Sequence, residues 1–375
     1  MSPPLSYLDN AANAPLRPEA WEAMAPYYQG GLGNPSGSHR AARTARDALE
    51  GAREVIAGVC GVDPVEVVFT SGGTESDNAA IFGAVRAGYG IALCSAAEHH
   101  AVIESVRAAG GEIIPVTSDG AIDLDALAGT LDATAGIVSV MAVNNEVGTV
   151  SDLGAVARLV ARHAPQALLH TDAVQAACGH DVAEICSHGS VVSLSSHKAG
   201  GPVGVGVLIV KRGVELSPFH LGGSQELGRR AGTQDVASAI GMAAAFAAAG
   251  AKWQEEAARL RRLRDALADE ILSCVPDAIE TVSRGQTSPS HCHVLLPGTN
   301  SEEVLFLLDE AGICASAASS CASGASEPSH VLAAMGIDPA LATGGIRFSL
   351  GWATGEDDVQ RVAEVIGPIV AKARS

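Results

Sequence analysis

This chain predicts an α/β fold: a large unit built on a mostly parallel seven-stranded sheet, followed by a smaller α+β unit. Three observations carry that reading. From Val65 to Val210 short apolar runs alternate with helix-period segments, the pattern of strand–helix–strand units with helices on both faces of a sheet. The 375 residues exceed the size at which a single core stops growing, so two units are expected. Apolar residues make up 47% of the chain but aromatics only 3%, so alanine, valine and leucine must build the core, which suits a large α/β protein rather than a disordered or fibrous one.

Strands are expected at Val65–Thr70, Ile91–Cys94, Glu112–Val116, Gly136–Ala142, Leu168–Thr171, Val191–Ser195 and Val205–Val210, each a run of mostly apolar residues. Between them, periodicity places helices at Arg40–Val59, Glu75–Ala87, Ala101–Ala109, Asp123–Leu131 and Leu153–His163. From Asp235 to Leu272 a long alanine- and arginine-rich helical stretch, bent near Gly250, bridges to the second unit. That unit has strands near His293–Leu296 and Gly345–Ser349 and helices near Ser301–Ala311 and Glu356–Ala373. The expected division is a large unit over residues 15–250 and a small one over 1–14 and 251–375.

The formal charge of −18 argues against nucleic acid as a direct partner, because phosphate binding needs a basic face. The opening MSPPLSYLDN has no cationic segment followed by an apolar one, and the alanine-rich run Ile240–Ala251 is too short to span a bilayer. A cytoplasmic protein with no membrane contact is therefore expected. Eight cysteines lie scattered, without CxxC pairs or zinc spacing, which reads as free thiols in a reducing compartment and no resident metal.

Four segments carry candidate chemistry. In VVSLSSHKAGGPVGVGVLIV a single lysine, Lys198, follows a buried-strand pattern. A lysine so placed is costly unless its charge is used, and it suits a Schiff base with a carbonyl cofactor. In VVFTSGGTESDNAA a strand runs into Gly72-Gly73-Thr74 and a helix opens. This is either an ordinary capped helix start or a cradle for one phosphate, since the glycines let amides approach an anion and the helix dipole attracts it. In ALLHTDAVQAA, Asp172 closes a strand and Gln175 follows; the carboxylate is either a helix cap or the partner of a ring nitrogen. His99 and His100 in AAEHHAVIESV stand at a strand–helix junction, where one could stack on a ring and move protons. Ser195 and His197, just before Lys198, add donors for a phosphate. A phosphate cradle, a carboxylate, a histidine and a lysine at four strand ends jointly specify pyridoxal 5′-phosphate.

The stretches TSGGTESDN, EHHAV, VNNEVGT, HTDAVQ, SSHKAGGPVGVGVL, RRAGT, SSCASG and IRFSLG resemble, in order and approximate spacing, cysteine desulfurases of the NifS/IscS-like group. These are class V aminotransferases among the fold-type I pyridoxal-phosphate enzymes, and the likeness runs from Tyr7 to Gly351. The resemblance implies that Lys198 holds the cofactor, Asp172 pairs with its ring nitrogen, Gln175 bonds its phenolic oxygen and His99 stacks on it. It implies that Gly73, Thr74, Ser195 and His197 bind the phosphate, with Thr233 supplied by the second subunit of a homodimer. Asn145 and Arg347 would hold the substrate, Arg347 by its carboxylate.

By the same resemblance the substrate is L-cysteine and the nucleophile is Cys321, on a mobile loop near residues 314–326, its thiolate favoured by a depressed pKa or by a base such as His99. Cys314 is the internal competitor, read as packed at a strand end. A transient iron–sulfur contact at Cys321 and a sulfur-acceptor or scaffold protein are implied partners. Selenocysteine lyase, cysteine sulfinate desulfinase, an aminotransferase of the same class and a low-activity partner in a sulfur-transfer complex are the alternatives. Three places depart from the family pattern: Asn13-Ala14 after YLDNAA, Ala318 where a glycine is usual before Cys321, and Ser224 and Leu227 before RRAGT. The alanine is expected to stiffen the loop.

Overall fold

The computed structural model describes residues 5–30, 33–317 and 329–375. Among the described residues the apolar runs form one seven-stranded sheet, ordered Val67–Thr70, Gly206–Val210, Val191–Ser195, Leu168–Asp172, Ala135–Ser139, Ile91–Ser95 and Glu112–Ile114. Neighbours are parallel except at Gly206–Val210, which is antiparallel to both of its partners. The expected Gly136–Ala142 strand stops at Ser139. Just beyond, the Met141 N–H turns to a side chain, donating to Glu98 Oε1 at 2.7 Å.

Successive side chains of a strand point to opposite faces, and here the two faces feed two cores. Val67, Phe69, Val138, Val192, Leu194, Val207 and Ile209 pack with Leu49, Ile56 and Phe246 on one side. Val68, Ile137, Val191, Leu208 and Val210 pack with Ile81, Val102 and Ile103 on the other. Burial on both faces is why these strands read as continuous apolar runs rather than alternating ones.

A third core gathers Leu8, Leu260, Leu267, Ile271, Val294, Leu308, Phe348, Val362 and Ile366 around a second sheet, ordered Ser316–Ala317, Gly345–Ser349, His291–Leu295 and Ile279–Glu280. The N-terminal strand Ser6–Tyr7 pairs in parallel with Ile313–Cys314, which carries Leu8 into this core. The bridging helices are Val236–Ala251 and Trp253–Cys274, bent by 75° at Lys252 rather than at Gly250. Among the described residues no single helix is long and apolar enough to cross a membrane.

Among the described residues four α-helices were not expected: Pro18–Gln29, Val182–His188, His330–Ala334 and Pro339–Ala342. Pro18–Gln29 contains Pro26, which breaks its periodicity, and Val182–His188 is too short to show one. The loop between Val210 and Val236 is tied down by a buried ion pair. Arg53 Nη1 and Nη2 reach the two Glu226 oxygens at 2.7 and 3.0 Å, and Glu226 also accepts the Phe69 N–H at 2.9 Å. Glu226 and Leu227 hold positive φ, 49° and 57°, a conformation that side-chain-bearing residues adopt only when their surroundings impose it. Arg53→Met strands the Glu226 carboxylate in the interior and should cost about 3–5 kcal/mol, readable as a shift of the urea midpoint. A loss below 1 kcal/mol would show that the pair does not hold the loop.

Candidate active site

The parallel strands and Val67–Thr70 end at the same edge of the sheet, the edge at which open α/β sheets bind ligands. There the helix Gly73–Ala87 begins directly after Thr70, with Gly72 at φ 151° as its cap. Glycine is required by close approach: a Cβ on Gly73 would stand 2.7 Å from Val174 Cγ2, and one on Gly206 would stand 2.6 Å from Gly72 Cα. The helix N-terminus is thereby pressed toward the end of Val191–Ser195, where Ser195 Oγ meets His197 Nδ1 at 2.8 Å. Exposed Thr74 lies in the first turn. The start of the helix lies against Ser195, a Cβ on Gly72 standing 3.9 Å from Ser195 Oγ, and helix N-termini carry unpaired first-turn amides that attract anions. Burial, with Lys198 nearby, pushes His197 down to about 4, so it stands there neutral.

Asp172 closes the neighbouring strand, and its Oδ1 accepts the Val174 N–H at 2.9 Å. Gln175, in the turn that follows, donates from Nε2 to the Ala11 carbonyl at 2.9 Å. Lys198 Nζ donates to that same oxygen at 2.5 Å and to the Ala12 carbonyl at 2.6 Å. One backbone oxygen of the N-terminal segment thus joins Gln175 to Lys198. Burial pushes the Asp172 carboxyl up, against the pull of His99 and Lys198.

His99 caps the helix His100–Ala108, its Nδ1 accepting the Ala101 N–H at 3.1 Å. Burial and the nearby Lys198 and His100 lower its pKa against the pull of Asp172. The neutral ring then carries its proton on Nε2. As placed, His99 is a donor, and taking a proton on Nδ1 would cost the helix its cap.

Arg347, only 4% exposed, donates to the Asn145 carbonyl at 2.7 Å and to Asp9 Oδ1 at 2.8 Å, and its Nε is buried without a partner. Asn144 is consumed by its own loop, donating to the Ala97 carbonyl and accepting the Glu146 and Val147 N–H groups. Of the two asparagines, then, Asn145 reaches the Arg347 fork, through its backbone carbonyl and beside Asp9.

Thr233 is exposed in the loop before Val236 and makes none of these contacts. Cys321 and Ala318 lie outside the described residues. Cys314 sits in the short pairing with Tyr7, and burial with Asp309 and Asp9 pushes its thiol up. Among the described residues the other cysteines are free, and Cys274 is exposed rather than packed inside.

The model for class V aminotransferases matches residues 6–362. The chain belongs to the class V aminotransferase family. Within it, the chain falls in the NifS/IscS-like cysteine desulfurase group. It is 39% identical to an IscS-like cysteine desulfurase of Mycobacterium tuberculosis, over 99% of this chain and 97% of that one. Among solved structures, a NifS-like protein superposes with a TM-score of 0.91 at 31% identity, covering 98% of this chain and 100% of the other. The structure described as SspA in complex with cysteine superposes with a TM-score of 0.79 at 28% identity, covering 92% of this chain and 99% of that one.

In this class V chain, sequence reasoning missed the residues that brace the site. Asp9 and the carbonyls of Ala11 and Ala12 carry no side-chain signature of their role. Glu146 is another: it accepts from Ser329 Oγ, and burial pushes it up to about 7, opposed by Ser329 and Arg347. A carboxyl raised in the folded state binds its proton more tightly there, so its contribution to stability is complete below about 4.5 and is lost as pH rises through 7. Urea unfolding from pH 4.5 to 8 should show wild type losing up to about 3 kcal/mol more than Glu146→Gln. Parallel curves for the two proteins would rule out a buried, proton-holding Glu146.

Proposed function

We propose that this chain is a pyridoxal-phosphate-dependent cysteine desulfurase that converts L-cysteine to L-alanine and leaves the sulfur as a persulfide on Cys321. The observation that carries the reading is the gathering of Lys198, Asp172, Gln175, His99 and a glycine-led helix N-terminus at one sheet edge, opposite Arg347. That donor set fits the cofactor. The Gly73 and Thr74 amides, Ser195 Oγ and His197 would hold the phosphate, Asp172 the ring nitrogen, Gln175 the phenolic oxygen and His99 a ring face. When bound, pyridoxal phosphate supplies a carbonyl for the substrate amine and a ring that absorbs electrons released at Cα.

The protein's own residues do the rest. The Arg347 guanidinium, steadied by Asp9 and Asn145, offers its remaining N–H groups to the substrate carboxylate. Lys198 takes and returns the Cα proton, the Ala11 and Ala12 carbonyls marking where its ammonium rests. His99 donates from Nε2 toward the reacting end of the substrate. The Cys321 thiolate attacks the substrate sulfur, breaking its bond to Cβ.

A division into a cofactor-binding unit over 15–250 and a smaller unit over 1–14 and 251–375 is supported by the separate cores. A homodimer in which Thr233 serves the partner's phosphate site suits a loop that exposes Leu221 and Leu227. Free thiols suit the cytoplasm, and the Cys321 sulfur would pass to an acceptor or scaffold protein.

The deciding experiment follows sulfide and alanine release from L-cysteine with a reductant. Wild type should give equal amounts of both. Cys321→Ala and Lys198→Ala should give neither, and Arg347→Lys should raise KM about tenfold or more. Alanine formed without regard to Cys321, or cofactor-loaded wild type that forms none, overturns the proposal.

A further inference from the structure

Behind the candidate active site a file of side chains runs from the pocket to an outer cleft. His180 Nε2 meets Ser288 Oγ at 2.9 Å, Ser288 Oγ meets Ser290 Oγ at 3.0 Å, and Ser290 Oγ meets His291 Nδ1 at 3.0 Å. At the outer end half-buried His180 lines a cleft of about 300 Å³ with Asp181, Glu184, Trp253, Arg261 and Pro289. At the inner end Ser290 and His291 share the lining of a cavity of about 10 Å³ with Lys198 and Gln175. Ser288, Ser290 and His291 are at most 2% exposed, so the contacts between the two ends are shielded from bulk water.

The file is seated by backbone. Gly148, at φ 79°, lies so close that a Cβ there would stand 2.5 Å from His291 Cβ. His291 Nε2 is buried with no hydrogen bond of normal geometry, while the Asn145 carbonyl lies near enough to favour a proton on that ring. Both rings rest neutral. Burial pushes His291 down to about 3, helped by Arg347, His180 and Lys198, and pushes His180 down to about 4, helped by Arg261. A neutral file with each heavy atom in hydrogen-bond range of the next can pass a proton without trapping it.

We propose that His180, Ser288, Ser290 and His291 form a path that delivers protons from the outer cleft to the pocket at Lys198. The purpose of the path rests on the desulfurase reading. L-cysteine, the Cys321 thiolate and one proton give L-alanine and the Cys321 persulfide. The S–Cβ bond breaks, an S–S bond forms, and the proton ends in the alanine methyl group. Along the path a solvent proton binds the outward nitrogen of His180, whose Nε2 proton passes to Ser288. Ser288 donates to Ser290, Ser290 to His291 Nδ1, and His291 releases its Nε2 proton into the pocket beside Lys198. Rotation of the hydroxyls and return of the ring tautomers reset the file.

The test uses the full-length, cofactor-loaded protein labelled with nitrogen-15 at histidine, with His180→Gln and His291→Gln to assign the signals. His291 should show its proton on Nε2, and exchange of that proton with water should slow about tenfold in Ser288→Ala and in Ser290→Ala. Ser288→Thr, which keeps the hydroxyl, should restore it. Alanine formation should slow in the alanine variants with KM unchanged. The path is overturned by exchange as fast in Ser288→Ala as in wild type, by a ring proton on Nδ1 alone, or by slowed exchange with unaltered turnover. A wild type that forms no alanine overturns the desulfurase reading instead, and the exchange rates still decide whether the path exists.

Discussion

A short strap of backbone, Tyr7 to Arg17, is the constraint on which the arrangement of this molecule depends. It belongs by packing to the smaller core through Leu8, yet it is bonded to both sides of the site. Toward the small sheet, Asn10 Nδ2 donates to the Ser349 carbonyl and the Ala11 N–H donates to Ser349 Oγ, both at 2.8 Å. Toward the large sheet, the Ala14 N–H donates to the His197 carbonyl and Arg17 Nε to the Ala199 carbonyl. Between these anchors Ala11 offers one oxygen to Gln175 and Lys198 together. Removing the strap would leave a buried-side lysine without its carbonyls and an arginine without Asp9, two losses of the kind that proteins tolerate poorly.

The legible part of the fold was the part set by local pattern. Leu153–His163, Glu356–Ala373 and Gly345–Ser349 stand where periodicity and flanking residues placed them, because each has a clean apolar stripe or run between polar boundaries. Pro18–Gln29 was hidden because a proline inside a helix erases the usual signal. The candidate site divides the same way. Lys198, Asp172, Gln175, Ser195 and His197 announce themselves by residue type at strand ends, and the structure brings them together. Asp9 and Arg347 are 338 residues apart, and no local rule links them. Carbonyl oxygens have no letter in a sequence at all.

A second layer of ionisable groups lies beneath the site. His170 is fully buried between Ser139 Oγ at 2.7 Å and Ser193 Oγ at 3.0 Å, and burial lowers it to about 3. Asp77, on the helix that opens at Gly73, is pushed well up by burial and by the charges of Asp172 and Glu98. Glu98 is likewise pushed well up by burial, although it accepts the Met141 N–H. For all three groups burial disfavours the charged form, which keeps the interior beneath Asp172 poor in charge.

That bias against buried charge alters how the whole molecule should migrate. The charge of −18 treats every carboxyl as ionised, but burial disfavours the charged forms of Asp77 and Glu98 in the fold. Burial disfavours the charged forms of His170, His180 and His291 as well, and at acid pH that contribution to the net charge has the opposite sign. Unfolding returns both sets of groups to water, so the folded and unfolded forms differ in mobility in an electric field at the same pH.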